Sequence, residues 1–116
     1  MATFVFALPL LPGKAEADRE GLQRLAAPGP ERDAYVAARR AQGLKREAVW
    51  HQVTPTGTLA LVLLEGDDIG RSFGQIATSD DPFAVRFREF VKEVHGVDLA
   101  TDPPPAVSPI SDTSFE

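Results

Sequence analysis

Between Thr58 and Glu65 the chain runs Leu59-Ala60-Leu61-Val62-Leu63-Leu64, six apolar residues without a charge. Alternate side chains of a strand face opposite sides, so Leu59, Leu61 and Leu63 share one face and Ala60, Val62 and Leu64 the other. Both faces are apolar, which is the pattern of a central strand covered on both sides. Thr54-Pro55-Thr56-Gly57 before it and Gly66-Asp67-Asp68 after it are turn sequences, and they bound the run as a strand rather than a buried helix. The rest of the chain has to supply what covers this strand.

Thr3 to Leu11 reads as a first strand, closed by Pro9 and Pro12-Gly13 because proline cannot donate to a ladder. Residues 14–26 are rich in helix formers, with Leu22, Leu25 and Ala26 as a modest apolar stripe interrupted at Gly21. After Ala27-Pro28-Gly29-Pro30 a second helix is predicted over 31–42. Its early Glu31 and Asp33 and late Arg39 and Arg40 complement the helix dipole, and Gly43 follows as a C′ residue. A second strand spans Leu44 to Val53, with Glu47, Val49, His51 and Val53 on one face and Arg46, Ala48, Trp50 and Gln52 on the other. The short turn at 54–57 makes it a hairpin partner of the central strand.

Asp67 or Asp68 can cap a short helix carrying Ile69, Phe73, Ile76 and Ala77. Asp81 and Pro82 then fit N-cap and N1 of a last helix, whose stripe of Phe83, Phe87, Phe90, Val91 and Val94 is the strongest in the chain. Gly96 ends it. The expected order is β-α-β-β-α-β, an α+β, ferredoxin-like sandwich with helices on one face of an antiparallel sheet. Residues 1–100 form one domain; 101–116, with Pro103-Pro104-Pro105, form an arm or a short last strand near Val107 to Phe115. One set of helices cannot cover both faces of the central strand. A second copy packed sheet to sheet would, so a homodimer is expected.

Three stretches carry a family resemblance: Gly43-Leu44-Lys45-Arg46-Glu47-Ala48-Val49-Trp50, the strand Leu61 to Glu65 leading into Gly66-Asp67-Asp68, and Ser79-Asp80-Asp81-Pro82-Phe83. Together they resemble an uncharacterised bacterial family that is itself similar to the dimeric α+β-barrel superfamily. That superfamily includes cofactor-independent oxygenases, cyclases, haem-handling enzymes and proteins without known activity. The resemblance implies a dimeric barrel and does not choose a chemistry.

Composition excludes several classes. The chain of 116 residues has no cysteine, so disulfides, thiolate metal sites and a cysteine nucleophile are ruled out. A net charge of −5 argues against nonspecific nucleic-acid binding. The apolar run Phe4 to Leu11 is too short to span a bilayer and lacks a basic flank, so neither membrane helix nor signal peptide is read, and a cytoplasmic location is expected. Neither a P-loop nor a G-x-G-x-x-G fingerprint occurs. Gly70-Arg71-Ser72-Phe73-Gly74 matches the letters of a nucleophile elbow, but it falls within a helix of a chain too short for that fold.

His51 is the candidate catalytic residue, a strand imidazole able to act as a general base; the competing reading is a half-buried histidine bonded to a neighbour. Tyr35, Arg46 and Trp50 are candidate substrate-binding groups, a phenol or guanidinium to hold an oxygen and an indole to stack on a planar body. Trp50 and Arg46 fall on the face opposite His51. A Glu47–His51 dyad is discounted, since the two lie ~13 Å apart along a strand, and Glu47 is assigned an arginine partner among Arg39, Arg40 and Arg86. Glu65, Asp67, Asp68, Asp80 and Asp81 are read as caps rather than as a metal site. No cofactor is expected. The sequence thus supports two functions: a cofactor-independent, oxygenase- or cyclase-like enzyme acting on a small hydrophobic molecule, or a non-catalytic homodimeric binding or structural module.

Overall fold

A computed structural model describes residues 1–116. The elements run β1 (Ala2–Pro9), α1 (Ala15–Ala26), α2 (Pro30–Ala41), β2 (Leu44–Thr54), β3 (Gly57–Gly66), α3 (Ile69–Thr78) and α4 (Pro82–His95). The three strands form one antiparallel sheet in the order β1-β3-β2. The predicted central strand is therefore central: β3 pairs with β1 on one side and with its hairpin partner β2 on the other. A fourth strand is not formed. Residues 103–116 contain no helix or strand, in keeping with a proline-rich segment whose Pro103, Pro104, Pro105 and Pro109 cannot donate to a ladder. No helix is long and apolar enough to cross a membrane.

Local chemistry sets the element ends. The Asp68 carboxylate accepts from the Arg71 N–H at 3.1 Å to start α3, and Asp81 accepts from the Phe83 and Ala84 N–H groups to start α4, with Pro82 at N1. Gly96 closes α4 in the left-handed region at φ 74°. Thr54 pairs with Gly57 across the hairpin turn, and its hydroxyl donates to the Gly57 carbonyl at 2.7 Å.

Register assigns every strand residue to a face. Phe4–Leu64–Glu47, Phe6–Val62–Val49 and Leu8–Ala60–His51 are the rows under the helices. On the opposite face stand Thr3–Glu65–Arg46, Val5–Leu63–Ala48, Ala7–Leu61–Trp50 and Pro9–Leu59–Gln52. A register shift between Leu44 and Arg46 places one extra residue at Lys45. Strict alternation would put Leu44 beside Arg46 on the open face; this bulge turns it inward, where it is buried with Leu64 and Ile76.

The helices do not sit evenly on the sheet. α3 lies on β1 and β3, with Phe73 edge-on to Phe4 at 5.5 Å between ring centroids. α4 instead packs against α1 and α2. Phe83, Val91 and Val94 of its stripe are buried, whereas Phe87 and Phe90 are only half-buried. Their rings face a void between α4 and the sheet.

Two glycines separate space from necessity. A Cβ on Gly66 would stand 2.7 Å from the Gly43 carbonyl oxygen, a backbone atom that cannot swing away, whereas one on Gly74 meets nothing within 4 Å. Gly66→Ala is expected to destabilise by about 1–3 kcal/mol through overpacking. Gly74→Ala, inside α3, should stabilise by about 0.5–1 kcal/mol by removing backbone freedom from the unfolded chain. Urea denaturation of the two variants checks both signs.

Candidate functional site

Beneath the helices, β2 presents Glu47, Val49 and His51, and each polar member is met by a helix. His51 Nε2 lies 2.6 Å from Asp18 Oδ2 of α1. The Asp18 side chain is 3% exposed and that of His51 20%. A carboxylate only accepts, so Nε2 carries a hydrogen, and in the neutral ring Nδ1 then holds the lone pair. This is the arrangement by which a buried carboxylate fixes the tautomer and orientation of a catalytic imidazole.

Glu47, two residues away on the same face, is met by α2. Its Oε1 accepts from the Tyr35 hydroxyl at 2.5 Å and from Arg39 Nε at 2.8 Å. Arg39 also donates to Gln42 at 2.8 Å, and its guanidinium lies over the Phe87 ring, 4.4 Å from the centroid. Arg39 and Gln42 are buried. Buried ion pairs cost desolvation, and here Tyr35, Gln42 and the ring complete the hydrogen bonding that such a pair needs.

Burial raises the Tyr35 phenol well above its ordinary value, helped by the adjacent Glu47 carboxylate. Tyr35 is the only tyrosine in the chain, so it can be watched alone. A phenol whose folded pKa is raised contributes stability that is full below its unfolded pKa and is lost as pH rises through the folded one. Tyrosinate absorbance is therefore expected to stay absent as pH passes the ordinary phenol value of about 10, and to appear only together with alkaline unfolding. A reversible titration near that value in folded protein would contradict the buried Tyr35–Glu47 bond.

Two cavities adjoin this network and share Leu22, Glu47 and Val49 on their walls. The outer one, about 380 Å³, lies between α1, α2 and β2 and is lined by His51, Tyr35 and Leu25 among others. The inner one, about 370 Å³, lies between the sheet and α4, with Asp18 on its wall and Pro103 and Pro105 at its margin. Both fall within the size range of small-molecule sites.

Of the residues singled out in the sequence, His51 and Tyr35 meet at the outer cavity. Arg46 and Trp50 do not join them: Arg46 pairs with Glu65 at 3.0 Å on the open face, and Trp50 stands there beside Leu61, 51% exposed. Of the three arginines considered for Glu47, Arg39 is its partner. Ser72, in the nucleophile-elbow letters, lies within α3, buried, and its hydroxyl donates to the Asp68 carbonyl at 3.0 Å. Sequence reasoning passed over Asp18. The signal was present, because Asp18, Leu22 and Leu25 follow at i, i+4 and i+7, which sets a carboxylate on the apolar stripe of α1.

No protein-family model, curated protein or solved structure matches this chain.

Proposed function

We propose that the protein binds a small, largely apolar molecule in the cavities beside Glu47. His51, held by Asp18, takes a proton from that molecule without a cofactor, as an oxygenase- or cyclase-like enzyme of this kind would begin its reaction. One observation carries the reading: a buried Asp18 carboxylate 2.6 Å from a histidine that lines a cavity. The proton passes from a C–H or O–H of the substrate to Nδ1, and the resulting imidazolium is balanced by Asp18. Tyr35, kept protonated by burial, gives its one hydrogen to Glu47 and so holds that carboxylate at the cavity wall, offering the substrate its ring rather than a donor. Arg46 and Trp50, on the far face, take no part.

The unit of function in this reading is a homodimer. The open sheet face offers Val5, Leu61, Leu63 and Trp50, with Val5 and Trp50 each 51% exposed. A second copy laid sheet to sheet would cover them and complete a dimeric α+β barrel. The segment after Pro103 is free to add a fourth strand beside β1, whose outer edge is unpaired. The Asp18–His51 bond also ties α1 to the sheet, and this favours a second reading, a non-catalytic homodimeric binding module.

Nuclear magnetic resonance titration with a set of flat aromatic fragments tests the first reading. Shifts concentrated on His51, Tyr35 and Leu22 are expected; shifts confined to the open sheet face, or none, would overturn it. Once a ligand is in hand, His51→Asn should retain binding and lose turnover. A ligand recovered unchanged from the native protein leaves the binding module.

A further inference from the structure

We infer that the ligand of the inner cavity is an apolar amine, an aromatic or hydrocarbon body ending in an ammonium group. This rests on the reading that the cavities bind a small molecule, and adds the charge of that molecule.

The polar residues on the wall of the inner cavity are Asp18, Glu47, His95 and Asp102; neither lysine nor arginine lines it. Each of the four has already committed one atom to the protein. Asp18 gives Oδ2 to His51, and Glu47 gives Oε1 to Tyr35 and Arg39. Asp102 Oδ2 accepts from the Asp98 N–H at 2.8 Å. His95 Nδ1 lies 2.8 Å from the Pro9 carbonyl oxygen. A carbonyl cannot donate, so Nδ1 holds the hydrogen and Nε2 of the neutral ring is an acceptor. Asp18 Oδ1, Glu47 Oε2, Asp102 Oδ1 and His95 Nε2 are left without a partner in the protein, acceptors all. Among residues that are not exposed, no sealed side-chain nitrogen or oxygen lacks a partner, so the second oxygens of Asp18 and Glu47 and Nε2 of His95 are open to solvent rather than walled in.

Arg39 cancels the charge of Glu47, with Nε on Glu47 and Nη1 on Gln42, and is not itself on the cavity wall. Asp18 and Asp102 then leave the cavity net negative. The remainder of the wall is apolar, with Phe6, Phe87 and Phe90 among its rings. Phe87 already carries a guanidinium over its ring, and the electron-rich faces of such rings favour a cation. An ammonium brings three donors and a positive charge to a set of acceptors. A neutral alcohol brings one donor. A carboxylate brings an anion with no donor to receive it, and its desolvation is uncompensated.

Three probes of one shape decide the matter: 1-naphthylmethylamine, 1-naphthylmethanol and 1-naphthoate, each titrated calorimetrically into the full chain near neutral pH, with shifts mapped by nuclear magnetic resonance. The amine is expected to bind about tenfold or more tighter than the alcohol, a gap of roughly 1.4 kcal/mol, and naphthoate weakest, with shifts at Val62, Phe90 and Val91. Alcohol equal to or tighter than amine, or naphthoate tightest, with shifts at those residues, would overturn the charge assignment and leave the small-molecule reading intact. Amine binding that shifts only exposed carboxylates elsewhere would overturn it as well. No binding by any of the three would remove both.

Discussion

Arg39→Ala is expected to cost about 3–5 kcal/mol of stability, the loss associated with removing one partner of a buried ion pair. The side chains of Arg39 and Glu47 are 7% and 13% exposed, so the carboxylate left behind loses its cation while still largely cut off from water. Gln42 loses its donor, and Phe87 loses the group stacked on it. The decisive comparison is a triple variant, Tyr35→Phe with Arg39→Met and Glu47→Leu, which removes the whole polar set at similar volume. Such replacements are often neutral or stabilise by about 1–4 kcal/mol, so the triple variant should outlast the single one in urea. A shift below about 1 kcal/mol for Arg39→Ala would mean that Glu47 is solvated in the native protein. With that outcome the network would serve position more than stability: it ties α2 to β2 and holds Glu47 on the shared wall of the two cavities.

The second large effect concerns assembly. With the sheets paired as proposed, Leu61→Asp should convert a dimer into a folded single chain, because it sets a carboxylate in the row Ala7–Leu61–Trp50 with no cation free to meet it. The nearest guanidinium on that face, Arg46, is held by Glu65. Leu64→Asp is the control. Leu64 is 2% exposed under the helices, and a charge there should unfold the chain whatever its oligomeric state. Light scattering with circular dichroism separates the two outcomes. Native protein that runs as a single chain at micromolar concentration would refute the sheet-to-sheet dimer.

Most of the architecture could be read from residues because the signals are local. Apolar runs bounded by turn residues gave the three strands, and Asp81-Pro82 with Gly96 gave the ends of α4. Two features escaped because they are not local. The bulge at Lys45 is a one-residue slip decided by where Leu44 can be buried, and nothing in Leu44-Lys45-Arg46 announces it. Likewise the aromatic stripe of α4 read as core throughout, yet α4 leans on α1 and α2, and Phe87 and Phe90 line a void instead. At the site, the face shared by Glu47 and His51 was legible from alternation alone. Their partners were not equally so: Arg39 was one of three choices, while Asp18 was hidden among helix formers, its pairing set by how α1 crosses the sheet.

The strand order carries a consequence for how the chain acquires its shape over time. β2 and β3 meet across the two residues Pro55 and Thr56, a short closure of the kind that forms within microseconds. β1 must instead find β3 with Ala2 opposite Gly66 and Pro9 opposite Leu59, after two helices have intervened. Non-local pairings of that kind slow folding, which assigns the hairpin to the early nucleus and the docking of β1 to the late step. During synthesis the order is reversed: Phe4, Phe6 and Leu8 are made before their partners in β3 and wait, unpaired, until Gly66 follows. The strand that waits longest for its partner, β1, is also one of the two that keep a free edge in the finished sheet.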